Sequence, residues 1–188
     1  QRSAALRPYA GAIRRMTRQA AAAAGGEIAS MPILQEHETE NTVGILLVTG
    51  DRGLAGAFNS QIIRAGLRAA ADYEAEGKTV RFFASGRRGV SSLVFRKLEP
   101  AGEYTGFTDR PAYANAREIA EDLVAAYIDG EVDRVEVFYN GYISPLTQEV
   151  RREVLLPLQR ASIDEALGEP EEAEDEHAGV GHALVEYE

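Results

Sequence analysis

The stretch VGILLVTGDRGLAGAF, residues 43–58, decides how this chain is read. Its first six residues, Val43 to Val48, are an apolar run with no alternation. Such a run fits a strand covered on both faces, as in a parallel sheet flanked by helices. A glycine-rich turn follows, with glycines at Gly50, Gly53 and Gly56. Phe58, Ile62, Ile63, Leu67, Ala70 and Ala71 then recur at helical spacing, with Gln61, Arg64, Arg68 and Asp72 on the other side. Strand, glycine turn and helix in this order raise the question of a phosphate cradle.

The glycine spacing answers against the two well-defined cradles. The dinucleotide fingerprint needs G-x-G-x-x-G and an acid at the end of the next strand, whereas these glycines are spaced differently and that strand ends at Ala84-Ser85-Gly86. The P-loop closes on Gly-Lys-Ser/Thr, whereas Gly56 is followed by Ala57 and Phe58. Asp51 sets a carboxylate where a phosphate would lie. Two readings stay open on these residues: a weak anion site at the helix start, or a tight turn with close helix–strand packing. In the second, Asp51 accepts hydrogen bonds from the first helical amides and Arg52 projects.

The surrounding sequence extends the pattern. KTVRFFA, residues 78–84, reads as a second strand, and a short amphipathic helix follows around Val90 to Phe95. Thr108, Asp109 and Pro111 signal another helix start. Its expected buried face is Ile119, Leu123, Val124, Tyr127 and Ile128. DRVEVFYNG, residues 133–141, reads as a strand, with Val135, Val137 and Tyr139 on one side and Glu136, Phe138 and Asn140 on the other. TQEVRREVLL alternates as an antiparallel strand with one wet face would, and HALVEYE suggests a last short strand. The fold class is α/β: a Rossmann-like mixed sheet with helices on both faces. The expected organisation is an N-terminal helix over residues 1–24, a linker over 25–42, and a globular domain over 43–188 with an acidic loop at 164–178.

At the N-terminus, Leu6, Tyr9, Ile13, Met16, Ala20 and Ala23 step by three and four along a helix, a heptad-like seam. Pro8 should kink this helix or mark its first turn. The seam suits packing on the chain's own domain, or the end of a longer helix that pairs with another.

Bulk properties narrow the classes. The chain has 188 residues, 45% apolar and 27% charged, enough for one domain with a real core. No apolar run approaches the ~18 residues of a membrane span. There is no cysteine, hence no disulfide framework. The formal net charge of −10 argues against general nucleic-acid binding. Charge is uneven: Arg2, Arg7, Arg14, Arg15 and Arg18 crowd the start without an acid, and residues 164–176 form an acidic run without a base. His177 and His182 near that run match no metal-ligand spacing. No nucleophile–base pair or acid–base carboxylate pair stands out.

Two motifs carry a resemblance. VTGDRGLAGAFNSQII, residues 48–63, resembles the signature Thr-Ser-Asp-Arg-Gly-Leu-Cys-Gly-Gly-Phe-Asn of the gamma subunit of F-type ATP synthase, with Gly50 for serine and Ala55 and Ala57 as small-residue replacements. EVDRVEVFYNGYISPLTQEV, residues 131–150, resembles a second segment of that family, with Tyr142 for a phenylalanine. SGRRG, GFTDRPAYANAREIA, LLPL and, near the start, LRPYA fall in the family's order. The acidic run is longer than the family's usual connection.

The resemblance implies a central-stalk rotor subunit that passes torque between the membrane c-ring and the catalytic alpha/beta hexamer in proton-driven ATP synthesis. It implies a non-catalytic subunit without a cofactor, peripheral on the cytoplasmic face of the bacterial membrane, and not inserted in it. Implied partners are the alpha, beta and epsilon subunits and the c-ring. The loop residues Asp51, Arg52, Leu54 and Ala55 would face acidic lever loops of the beta subunits. The seam from Leu6 to Ala23 would belong to the first shaft helix, and Tyr187-Glu188 would lead into the second. The other class of function left by the residues themselves is a small module binding an anion or nucleotide at Gly50–Gly56.

Overall fold

The computed structural model describes residues 2–23, 38–50, 56–106, 113–141, 144 and 147–158. Its elements in chain order are α1 (Arg2–Ala23), β1 (Thr42–Val48), α2 (Gly56–Ala75), β2 (Thr79–Ser85), α3 (Arg87–Phe95), β3 (Gly102–Tyr104), α4 (Tyr113–Ile128), β4 (Arg134–Asn140) and β5 (Val150–Leu156). The strands form one sheet in the order β3-β2-β1-β4-β5. β3, β2, β1 and β4 run parallel, and β5 pairs antiparallel with β4. This is the expected mixed sheet, with β1 at its centre.

Central position explains the unbroken apolar run. On one face Val43, Ile45 and Leu47 join Phe58, Ile62 and Ile63 of α2 and Leu93 of α3. On the other, Leu46 and Val48 join Tyr9, Ile13 and Met16 of α1 and Ile119, Leu123 and Tyr127 of α4. A strand between two helical layers has no wet side, so it has no polar alternation. The close approach of α2 needs Gly66: a Cβ there would run into the Leu47 side chain.

Several expectations shift. α1 runs through Pro8 from Arg2, so the proline does not mark its first turn. Tyr9, Ile13 and Met16 are buried in the domain's own core, Ala20 packs against that core, and Ala23 is exposed. Ala10, Ala12, Thr17 and Ala21 are buried too, so the covered arc of α1 is wider than a heptad seam. The Leu6 side chain lies outside the described residues. Ile128 is exposed rather than buried, whereas Tyr127 beside it is fully buried. β3 is an unexpected strand; with only three residues it shows no periodicity. The end of the segment read as a linker is tied to the domain: the amides of Asn41 and Thr42 donate to the Asp133 carboxylate, each at 2.9 Å. The strand read at HALVEYE and the acidic run lie outside the described residues.

Polar clamps tie the layers together. The Arg14 guanidinium donates to the Tyr139 hydroxyl at 3.2 Å and pairs with Glu153, while the Tyr139 hydroxyl donates to Glu153 at 2.7 Å. α1 is thereby joined to both β4 and β5. At the opposite edge the Tyr104 hydroxyl donates to Asp122 at 2.8 Å, linking β3 to α4. Burial first, and then that hydrogen bond, push the phenol well above its ordinary range.

Candidate functional site

The carboxyl ends of β1 and β2 meet at one edge of the sheet, where the glycine loop leaves. Thr49 organises this edge. Its amide donates to the Ser85 carbonyl at 2.8 Å. Its hydroxyl donates to the same carbonyl at 3.2 Å and accepts the Gly89 amide at 2.9 Å. The Arg88 amide donates to the Gly50 carbonyl at 3.0 Å. The first turn of α3 is therefore fastened to the residues that open the loop.

Asn59 fastens the loop from the other side. It is buried in α2, and its side-chain oxygen accepts the Gly50 amide at 3.3 Å. Gly86 completes the corner with φ +102°, its amide donating to the Tyr104 carbonyl at 2.8 Å. A Cβ there would collide with the Thr49 carbonyl.

A groove of about 280 Å³ opens beside this corner, between α2 and α3. Ser60 and Ile63 line one wall, and Arg88, Ser92, Phe95 and Arg96 the other. Among the described residues the lining holds no carboxylate and no histidine, so these residues offer donors and apolar area rather than a general base. Among the described residues no group of three His, Asp or Glu could hold a metal ion. No helix among them is long and apolar enough to cross a membrane.

A second polar cluster sits on the sheet face under α2. Glu136 is buried, and its Oε2 accepts hydrogen bonds from Arg134 Nε at 2.6 Å and from the Tyr73 hydroxyl. Its Oε1 accepts from Arg152 Nε at 2.7 Å. Burial alone would raise this carboxyl, but the hydrogen bonds from Tyr73, Arg134 and Arg152 outweigh it and hold the group below the usual glutamate range. With both oxygens occupied, Glu136 is a structural counter-ion.

Of the sequence-derived candidates, Asp51, Arg52, Leu54 and Ala55 lie outside the described residues, as do Tyr187 and Glu188. Thr49, Asn59 and Ser85, which hold the loop's base, were not singled out from the sequence. Only the polar residues of the signature, beginning at Val48, could have pointed to the first two.

A sequence model of the ATP synthase family matches residues 1–187. The chain is 39% identical over 166 residues to the ATP synthase gamma chain of Streptomyces avermitilis, covering 86% of this chain and 53% of that one. It is 34% identical over 196 residues to the gamma chain of Acidothermus cellulolyticus, covering 98% of this chain and 63% of the relative. The chain thus spans between about half and two thirds of the length of these relatives. Its fold resembles a chain of the Tetrahymena thermophila mitochondrial ATP synthase central stalk and c-ring structure, with TM-score 0.51 and 20% identity, over 83% of this chain and 71% of that one. Together with the sheet and the loop signature at its edge, these matches show that the chain belongs to the ATP synthase gamma-chain family.

Proposed function

We propose that the chain is the globular part of a central-stalk rotor subunit, transmitting torque between a membrane c-ring and a catalytic alpha/beta hexamer during proton-driven ATP synthesis. The observation that carries this reading is the family match across residues 1–187 with curated gamma chains as relatives. The subunit is non-catalytic; it supplies rigidity and docking surfaces. Its partners are the alpha, beta and epsilon subunits and the c-ring, on the cytoplasmic side of a bacterial membrane.

Asp51, Arg52, Leu54 and Ala55 are the proposed contact with acidic loops of the beta subunits. Fastening of the loop base by Thr49 and Asn59 supports this, since a contact that meets passing partners needs a fixed foundation. Leu6, Tyr9, Ile13, Met16, Ala20 and Ala23 belong to the first shaft helix where it seats on the domain. Tyr187 and Glu188 lead toward the second. A nucleotide module at Gly50–Gly56 is less well supported, because the Gly50 amide is already taken by Asn59.

The test is reconstitution. Complexes assembled with the full-length subunit should make ATP under a proton gradient and lose synthesis when the subunit is omitted. Undiminished gradient-driven synthesis without it would refute the rotor role.

A further inference from the structure

The surface of α3 is unusual for this protein. Phe95 is 83% exposed and Val94 57% exposed, although the helix buries Gly89 and Leu93 correctly against the sheet. A small apolar side chain on a surface is ordinary, but an almost fully exposed phenylalanine next to a groove it helps to line is a feature of contact sites. The groove runs from Phe95 to Ile63, whose side chain is buried, so its exposed apolar surface is supplied chiefly by α3.

Charge marks the same place. The chain carries a formal net charge of −10. Yet the described lining of the groove holds Arg88 and Arg96 and no acid, and the stretches 56–71 and 87–98 to which it belongs add Arg64, Arg68, Arg87 and Lys97 before the first acids, Asp72 and Glu99. Arg64, Arg68, Arg88, Arg96 and Lys97 are all exposed. A local positive field on an acidic protein attracts acidic partners and opposes approach in other orientations.

From this combination we propose that the exposed face of α3, with the groove beside it, docks an acidic segment of a partner protein that also carries aliphatic side chains. The carboxylates meet Arg88 and Arg96 at the groove, and an aliphatic side chain covers Phe95. A nucleic acid is disfavoured, because the remainder of this chain is net negative and Val94 has no partner in a polyanion. The proposal deepens the rotor reading: it adds a second contact surface, fastened to the loop base through Gly89 and Arg88.

The test uses the 188-residue chain and a dye-labelled peptide of four Glu-Leu-Glu-Ala repeats, followed by fluorescence anisotropy at low salt. Saturable binding is expected, weakened about tenfold in Phe95→Ser and about tenfold in Arg96→Glu, each equal to about 1.4 kcal/mol. A peptide with serine in place of leucine should bind about tenfold more weakly as well. Circular dichroism and thermal melts of both variants establish that they fold. The proposal is overturned by any of four results: no saturable binding, binding unaffected in both folded variants, an oligouridine that binds more tightly than the peptide, or a tenfold gain in affinity on deleting residues 164–176. The last would assign the surface to the chain's own acidic run. Gradient-driven synthesis in assembled complexes scores the rotor reading separately, so either can fail alone.

Discussion

The Thr49 hydroxyl accepts the Gly89 amide at 2.9 Å, so the residue that follows β1 also holds the first turn of α3. One side chain thereby couples the loop entry, the end of β2 and the helix beside the groove. Thr49→Val keeps the shape and removes this coupling, leaving a buried amide without its acceptor. The expected loss is about 1–3 kcal/mol, read by urea unfolding. Thr49→Ser should retain most of the stability. A valine variant as stable as the parent would show that the bond is dispensable.

Gly86 stands at φ +102° with its Cα facing the Thr49 carbonyl. Gly86→Ala combines an unfavourable backbone conformation with a clash against main chain, which cannot rotate away. Destabilisation of at least about 2 kcal/mol is expected. Gly77, also at positive φ but with open space around its Cβ position, is the control, and Gly77→Ala should cost about 1 kcal/mol. Equal costs at the two sites would contradict the steric argument.

Glu136 makes stability depend on acid. Its carboxyl is held below the usual glutamate range by hydrogen bonds acting against burial, so the folded chain keeps it ionised more tightly than the unfolded chain does. The contribution is complete above the unfolded glutamate pKa and is lost as pH falls through the lower folded value. Glu136→Gln should destabilise by about 1–3 kcal/mol at pH 7, because two arginines then share a neutral partner. The difference from the parent should narrow toward pH 3. A constant difference from pH 7 to pH 3 would count against the linkage.

Amide exchange should find α1 protected between Ile13 and Ala21. Ile13, Met16, Thr17 and Ala21 are buried against the domain, so opening this stretch exposes core. Exchange as fast as at Ala23, which is exposed, would mean that the helix does not stay seated on its own.

In assembled complexes, Arg52→Glu should lower coupled ATP synthesis while changing the chain's stability by no more than about 0.5 kcal/mol. The effect should shrink as salt rises, since exposed charges are screened over about 10 Å at 0.1 M. Unaltered coupling at low salt would remove the proposed charge contact.

What could be read from sequence follows from how each signal arises. Val43–Val48 and the α2 stripe were legible because burial on two faces, or on one helical stripe, writes itself into local spacing. β3 was not, since three residues hold no period and its place depends on Gly86 and Tyr104. Asn59 was not singled out, because a polar residue in a helix carries no local sign of its partner; only the fold brings it to Gly50. The step of three and four from Tyr9 to Met16 told that a face of α1 is covered, but periodicity cannot name the covering surface. Val94 and Phe95 were read as part of an amphipathic helix, and their exposure emerged only from the docking of α3 through Gly89 and Leu93.

The joining of Arg14 to Tyr139 and Glu153 has a mechanical consequence. Ile13, Met16, Thr17 and Ala21 of α1 are embedded in the domain, and Arg14 on the same helix forms a cationic bracket reaching two neighbouring strands. A couple applied along the axis of α1 would have to shear the embedded side chains and break the bracket before the helix could spin in its seat. Under such a couple helix and sheet would move as one solid piece, like an axle keyed to its wheel.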